Sequence, residues 1–579
     1  MPSFLDALPE RSTVSPTRRL ANLFYERFFY NDLLSTHDDP QLASANLMAI
    51  LAFPGLLCLF WIPKYYVTLA RMPEAARDLA VFGDRFFWLS FEMAVLGLLT
   101  TLQWDRLLPD RRDYMILGPQ PVSVRVLFEA QVKALAKFLG MFFVIANAGS
   151  ALFFPIAAVP KRAGNIEGLL FFFGHWVSLC GAGLFAVLLV IAMQGVLTNV
   201  LRPKLFERIS PFVQSLLAAS FLGIIVLLPM LPGRVLSGAA SVSLLAKQSF
   251  AIFALPPVWF AALGESLAGR HGAVFTALAG SAVLAAAGVT LVAAGTYLLS
   301  YQRFMRRSLE SAGQHGARDS QAAQAFRGAL RRTWLKEPSE RAAFLFTLWT
   351  LGRSRQHRLY FGAFLAVGAA IVFAQTWSLS LMGGPSLRLL SQPYILLFLA
   401  LVGIRVVFAF PSDLPANWAF RFHAGATIES YLKGTRKAVW AAGPIPLLAL
   451  TTPGAAMLWG FSAAIVHGAV LALVAWITIE FALWGFWKIP FTCSYVAGRA
   501  HVIILWTFTA VGMLVYASSM ASLELWALGN GWRLLLLAAP AAAITAVWRP
   551  YRSLLAADSG GPIFDEPEDT RVYLMNLSG

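Results

Sequence analysis

The chain has 579 residues, 58% hydrophobic and 13% charged, and its 46 basic and 30 acidic residues leave a net charge of +16. A soluble domain carries about 25% charged residues, so this supply cannot cover a globular surface, and the soluble enzyme classes are excluded. With a mean hydropathy of +0.64, the composition defines an all-α, polytopic membrane protein.

Residues 1–40 read as a cytoplasmic N-terminus without the apolar core of a signal peptide. Ser15 and Pro16 supply an N-cap and a first-turn proline, and Leu20, Leu23, Phe24 and Phe28 then recur at helical spacing. This pattern predicts an amphipathic interfacial helix over 17–34. Apolar stretches of about 20 residues, enough to cross a bilayer, follow at 46–63, 82–103, 135–158, 168–195, 211–230 and 273–299. They make a first six-helix half over 41–300, and a basic cytoplasmic linker occupies 301–338. A second half over 339–550 opens with a helix from Pro338 and Ser339 to Trp349. Its spans are expected at 359–377, 390–410, 438–457, 460–484, 502–522 and 532–549, before a cytoplasmic tail, 551–579.

Lys and Arg then orient the spans. With the N-terminus inside, the cytoplasmic segments hold a roughly threefold excess of basic residues, and 301–358 alone contains twelve. Both termini are therefore expected in the cytoplasm, with the chain in the inner membrane. The positive charge reads as topology and not as a nucleic-acid surface. The outer segment 64–85, with Lys64, Arg71, Arg77 and Arg85, runs against the trend. Cys58, Cys180 and Cys493 have no disulfide or metal spacing and are expected to be buried, inert thiols.

The loops after the second and eighth spans share a texture. Asp105 with Leu108 and Pro109, and Asp413 with Leu414 and Pro415, each precede a basic helical stretch that enters the next span. In the first loop Pro109, Pro119 and Pro121 break the chain into short pieces. Charged residues there rim an apolar centre, Tyr114 to Leu117, which suits a protein interface.

That loop resembles the cytoplasmic loop between the second and third spans of type-2 ABC exporter permeases. The matching positions are Asp113, Ile116 and Leu117, Pro121 and Val122, then Leu127, Ala130 and Gln131. Gln131 stands where the family usually has Lys, and Lys133 supplies a charge nearby. Residues 253–269, with Pro256, Pro257, Trp259 and Glu265, resemble the outer re-entrant segment of the same family, with Glu265 and Ser266 facing an outer vestibule. The resemblance implies a permease subunit whose coupling residues are Asp105, Asp113, Ile116, Leu117, Pro121, Val122, Gln131 and Lys133. The chain has no G-x-x-x-x-G-K-[ST] P-loop, so the resemblance implies separate ATP-binding cassette subunits carrying ATP and Mg, and no cofactor in this chain. A monomeric full permease and a homodimer are both compatible with it.

Ionisable residues within spans mark functional candidates: Glu92, His175, Arg405, His467 and Glu480. Arg405 and Glu480 are expected to form an interhelical ion pair. His467 and Glu480 lie about 20 Å apart along one helix and cannot act on one atom. These residues leave open an ion-coupled secondary transporter, and the histidines a membrane-embedded lipid-modifying enzyme. No catalytic or metal motif accompanies them. Gly181 and Gly183 read as close helix packing, Gly280, Gly288 and Gly295 as a small-residue face, and Lys488–Tyr495 has no chemistry its residues assign.

Overall fold

A computed structural model describes residues 15–29, 48–49, 51–52, 55, 58–107, 123–159, 164–230, 254–269, 272–310, 328, 333–376, 384–414, 416–417, 428–486, 488–493 and 502–558. The chain divides into two compact units, Met1–His315 and Gly316–Gly579. Helices build both, and no strand is found among the described residues. A bilayer demands this, because a spanning segment must satisfy its backbone internally.

The first unit contains α1 (Pro16–Phe29), α2 (Cys58–Pro63), α3 (Glu74–Leu102), α4 (Val124–Ala158), α5 (Asn165–Val200), α6 (Pro203–Leu227), α7 (Pro256–Leu267) and α8 (Ala273–Glu310). Ser123 caps α4 by accepting from the Val126 N–H, and prolines occupy the first turns of α6 and α7, where a missing N–H costs nothing. The central helix is α3, packed against α4, α5, α6 and α7. The amphipathic α1 lies on α4, with Phe28 against Phe138, Tyr25 bonded to the Met141 sulfur and Lys137 over the Tyr25 ring. Its apolar stripe thus covers protein, while Leu23 stays exposed.

The second unit contains α9 (Pro338–Arg353), α10 (Arg355–Thr376), α11 (Leu387–Val407), α12 (Ile428–Ala442), α13 (Pro444–Trp459), α14 (Phe461–Ala482), α15 (Val502–Leu528) and α16 (Arg533–Asp558). Here α9 lies on α12, which leads into α13 as α1's partner α4 leads into its own span, and α11 packs against α15 as α3 packs against α6. Gly434 lets α9 and α12 approach, since a Cβ there would strike the Glu340 carbonyl. Lys437 on α12 bonds both Glu340 and the Trp334 carbonyl.

Ten helices among the described residues are long and apolar enough to cross a membrane: 76–102, 125–158, 165–200, 205–230, 273–299, 355–376, 387–407, 429–459, 461–482 and 508–528. The protein is therefore a multi-pass helical membrane protein. Each of the ten overlaps an expected span. Of the other two, 46–63 is only partly described, and the apolar part of α16 stops at Trp548. The span expected at 438–457 is two helices, α12 and α13, joined at Gly443 with Pro444 starting the second. The small-residue face of α8 does not pack as expected: Gly280, Gly288 and Gly295 have open space beside them among the described residues. Cys58 and Cys493 are buried, whereas Cys180 is exposed, and all three are free thiols.

Candidate functional site: loop roots and buried polar interiors

Where α3 ends, its last turn and the short turn Trp104–Arg106 become a hydrogen-bonded hub. The Thr101 carbonyl accepts from Gln214 on α6 at 3.0 Å, and the Trp104 carbonyl from Gln194 on α5 at 2.7 Å. The Trp104 indole donates to Ser210 on α6 at 2.9 Å. The Arg106 carbonyl accepts from Gln131 on α4 at 2.7 Å, and the Leu107 carbonyl accepts from the Tyr297 hydroxyl on α8. Gln103 and Arg106 donate to the Phe28 and Arg27 carbonyls of α1. Carbonyls freed by the end of a helix need partners, and here five other helices supply or receive them. Trp104 and Leu107 are fully buried within this hub.

The hub is the root of the loop in which the coupling residues were expected. Asp113, Ile116, Leu117, Pro121 and Val122 lie outside the described residues. Asp105 sits in the turn and is exposed, Gln131 is a hub member, and Lys133 pairs with Glu129 along the exposed face of α4 at 3.9 Å. Sequence reasoning placed Gln131 as a substitute for a family lysine; its amide in fact ties α4 to α3. Replacing Gln194 by Leu leaves the buried Trp104 carbonyl without this donor and is expected to cost about 1–3 kcal/mol, measurable as a lowered unfolding temperature in detergent.

The opposite half of α3 carries a second polar layer. Arg85 donates to Glu265 of α7 at 2.6 Å, with both side chains 1% exposed or less. The Arg85 guanidinium also lies 4.5 Å from the centroid of Phe171 on α5. Lys64 pairs with Asp84 at 2.7 Å, and the Tyr65 hydroxyl donates to the same carboxylate. Gly264 makes this layer possible, because a Cβ there would sit 2.6 Å from Ser178 Oγ and 3.0 Å from Arg85. Arg85, grouped with the outer charges of 64–85 although it falls inside the span expected at 82–103, lies inside the span, and Glu265, expected in a vestibule, is buried. The span begins at Ala76, earlier than the apolar stretch from 82 suggested, so Arg77 and Arg85 lie within it and not in an outer segment.

Glu92 and His175 are also fully buried, as expected for intramembrane residues, and neither has a hydrogen-bond partner among the described residues. Glu92 lies against Gly183 of α5, where an added Cβ would be 2.5 Å from its Oε1. His175 stacks near Phe154, with ring centroids 4.8 Å apart. Unsatisfied buried polar groups are rare in proteins, and two on facing helices mark the α3–α5 seam.

In the second unit His467 of α14 bonds Glu524 of α15 at 2.6 Å and Thr451 of α13 at 3.1 Å, and Tyr394 of α11 donates to Glu524 at 2.5 Å. One buried carboxylate thus joins three helices, and His467 extends the network to a fourth, α13. Glu524 and Tyr394 were not anticipated: the span was expected to end at 522, and Tyr394 reads as one aromatic among many. The expected Arg405–Glu480 pair is not made. Glu480 pairs with Arg436 at 3.5 Å, and Arg405 lies over the Phe486 ring at 4.8 Å. Arg436, more than two turns into α12, reaches Glu480 because the helix begins well before the apolar stretch expected at 438–457.

The second loop root is also organised, by different means. The Phe408 carbonyl accepts from the Phe491 N–H at 3.3 Å, and the Phe491 carbonyl from Ser412 at 2.9 Å. Asn417 bonds the Thr492 carbonyl at 2.8 Å, and His357 of α10 the Phe410 carbonyl at 2.9 Å. Phe491 is fully buried with φ 65°, the only non-glycine residue of positive φ among the described residues. Its ring meets Phe408, His357 and Phe346. The described part of the unassigned run, 488–493, is therefore an aromatic plug at the root of the loop that begins at Pro411, and 494–495 lie outside the described residues.

No group of three or more His, Cys, Asp or Glu among the described residues could hold a metal ion. Comparison of the chain with family models, with curated proteins and with solved structures finds no match.

Proposed function

We propose that the chain is the permease of an ATP-driven exporter of the type-2 ABC class, driven by separate ATP-binding cassette subunits that dock on the loops at 105–132 and 411–437. The observation that carries this reading is the hub at 101–107. A docking loop transmits force only if its root is stiff and joined to the spans, and this root is bonded to α1, α4, α5, α6 and α8. Closure of a partner ATPase beneath the loop would then displace the helices of the unit together. Packed interfaces respond to such shifts as discrete rearrangements. ATP and Mg belong to the partner, and this chain supplies the path. In this reading both termini are cytoplasmic, in the inner membrane, and the two units are six-span halves.

The test is co-purification. An ATP-binding cassette subunit is expected to accompany the chain. The pair Ile116→Asp and Leu117→Asp is expected to release that subunit while the chain keeps its unfolding temperature. Transport by the purified chain alone, or undiminished association of this variant, overturns the proposal. An ion-coupled transporter is the second reading, and Glu92 now favours it over Glu480, which has Arg436 as partner. It requires that Glu92→Gln abolish transport driven by a proton or sodium gradient.

A further inference from the structure

Glu92 is fully enclosed within the span of α3, and neither of its carboxyl oxygens has a hydrogen-bond partner among the described residues. It is seated against α5. A Cβ on Gly183 would lie 2.5 Å from Glu92 Oε1 and 2.8 Å from Leu96 Cδ1, so the glycine leaves the space that the carboxyl fills. Ionised, the group would be an anion with neither water, donor nor cation beside it, which a dry interior does not tolerate. Arg85, two turns earlier on α3 and about 10 Å away along the axis, is bound to Glu265 of α7 at 2.6 Å. His175 precedes Gly183 on α5 by about 12 Å and packs near Phe154. The other two helices packed on α3 bring no ionisable residue to this depth, since 138–158 of α4 and 209–227 of α6 contain none.

The same surroundings select the ion that neutralises the carboxyl. A hard metal cation is held by about six oxygen ligands, and inside spans unwound backbone carbonyls supply many of them. Neither resource is found at Glu92. Helix α3 runs unbroken from Glu74 to Leu102 and α5 from Asn165 to Val200, so the carbonyls beside the carboxyl are used within the helices. No metal-holding group of His, Cys, Asp or Glu exists among the described residues. A proton needs one oxygen and no cage. The bilayer side of the site is marked by Cys180, one turn before Gly183 on the same face of α5. Its thiol is exposed and close enough to Glu92 to interact with it electrostatically.

We propose that Glu92 is a proton-binding site of the bilayer interior. It holds a proton and no metal cation, and a lipophilic carbodiimide reaches it from the bilayer beside Cys180. Any part it plays in transport rests on the ion-coupled reading, whose ion it names as a proton. Carbodiimide chemistry reports the protonated acid directly. The acid proton passes to one reagent nitrogen and the carboxyl oxygen adds to the central carbon. Migration of the acyl group to nitrogen then leaves an N-acylurea that retains the whole reagent, with no leaving group.

The test treats the full-length protein in detergent with dicyclohexylcarbodiimide and locates the adduct by peptide mass spectrometry. Wild type is expected to carry it at Glu92, and Glu92→Gln to lose it. A water-soluble, cationic carbodiimide is expected to leave Glu92 unlabelled. Replacing sodium by choline in the buffer is expected to leave the yield unchanged. Prior alkylation with cyclohexyl maleimide is expected to lower the yield in wild type and not in Cys180→Ala. Absence of the adduct from monodisperse wild type, or equal labelling by the cationic reagent, overturns the site. Protection by sodium overturns the choice of ion, and a yield indifferent to alkylation of Cys180 overturns the approach from the bilayer. An adduct at Glu92 in a protein whose Glu92→Gln variant keeps gradient-driven transport overturns the ion-coupled reading and leaves the proton site standing.

Discussion

Replacing Arg85 by Met is expected to destabilise the first unit by about 3–5 kcal/mol, because it leaves the Glu265 carboxylate buried without its cation. The pair is 2.6 Å long and enclosed on every side, with Phe171 under the guanidinium and Gly264 pressed against it. No solvent can take over when one partner goes. Removing both charges is a different operation. The double variant Arg85→Met/Glu265→Leu is expected to recover most of the loss, since well-packed apolar replacements for a buried pair are often neutral or better. Thermal unfolding of the four proteins in one detergent closes the cycle. A double variant no better than the Arg85→Met single variant would show that the two side chains act separately. Because Glu265 is the residue through which α7 is held to α3, limited proteolysis around 254–269 is expected to speed up in the single variant.

Phe491→Ala is expected to cost about 3–5 kcal/mol, the usual range for deleting a buried aromatic ring. Here the ring also sets the path of two backbone segments, since Phe491 exchanges bonds with Phe408 and Ser412. Its positive φ gives the substitution a signature. An L-residue in the left-handed region carries a cost of about 1–2 kcal/mol that glycine escapes. Phe491→Gly is therefore expected to be less damaging than Phe491→Ala by about 1 kcal/mol, although glycine removes more of the side chain. The reverse order, read from unfolding midpoints, would mean that the backbone at 491 relaxes when the ring is lost. In the permease reading both variants are also expected to weaken ATPase coupling through the second loop, with the first loop unaffected.

How far these sites could be read in advance depends on the range of the forces that make them. Helices α3, α5, α8, α10, α11 and α14 were legible because a bilayer demands about 20 apolar residues of each span, and hydropathy is local. The lead helices were legible from Pro16 and Pro338, each at a first helical position. Glu92, His175 and His467 were recognised as unusual, since an ionisable group in a span is conspicuous in any window. Their partners were not. Glu524 lies 57 residues from His467 and Glu265 lies 180 residues from Arg85, and no spacing rule connects such positions. The hub escaped for a related reason. Gln131, Gln194, Gln214, Ser210 and Tyr297 are ordinary residues singly, and only their convergence on 101–107 distinguishes them.

The sequence by itself determined the solvent and the secondary structure: too few charges for water and enough long apolar runs for a multi-pass helical protein. Those properties follow from composition and from periodicity within one helix. The tertiary structure alone decided which charges meet. It gave Arg85 to Glu265, gave Glu480 to Arg436 in place of Arg405, and turned part of a run without assigned chemistry into the plug at a loop root. Pairing inside a bilayer is decided by the packing of helices distant in sequence. A buried charge has no water to fall back on, so it takes whichever partner that packing brings within reach.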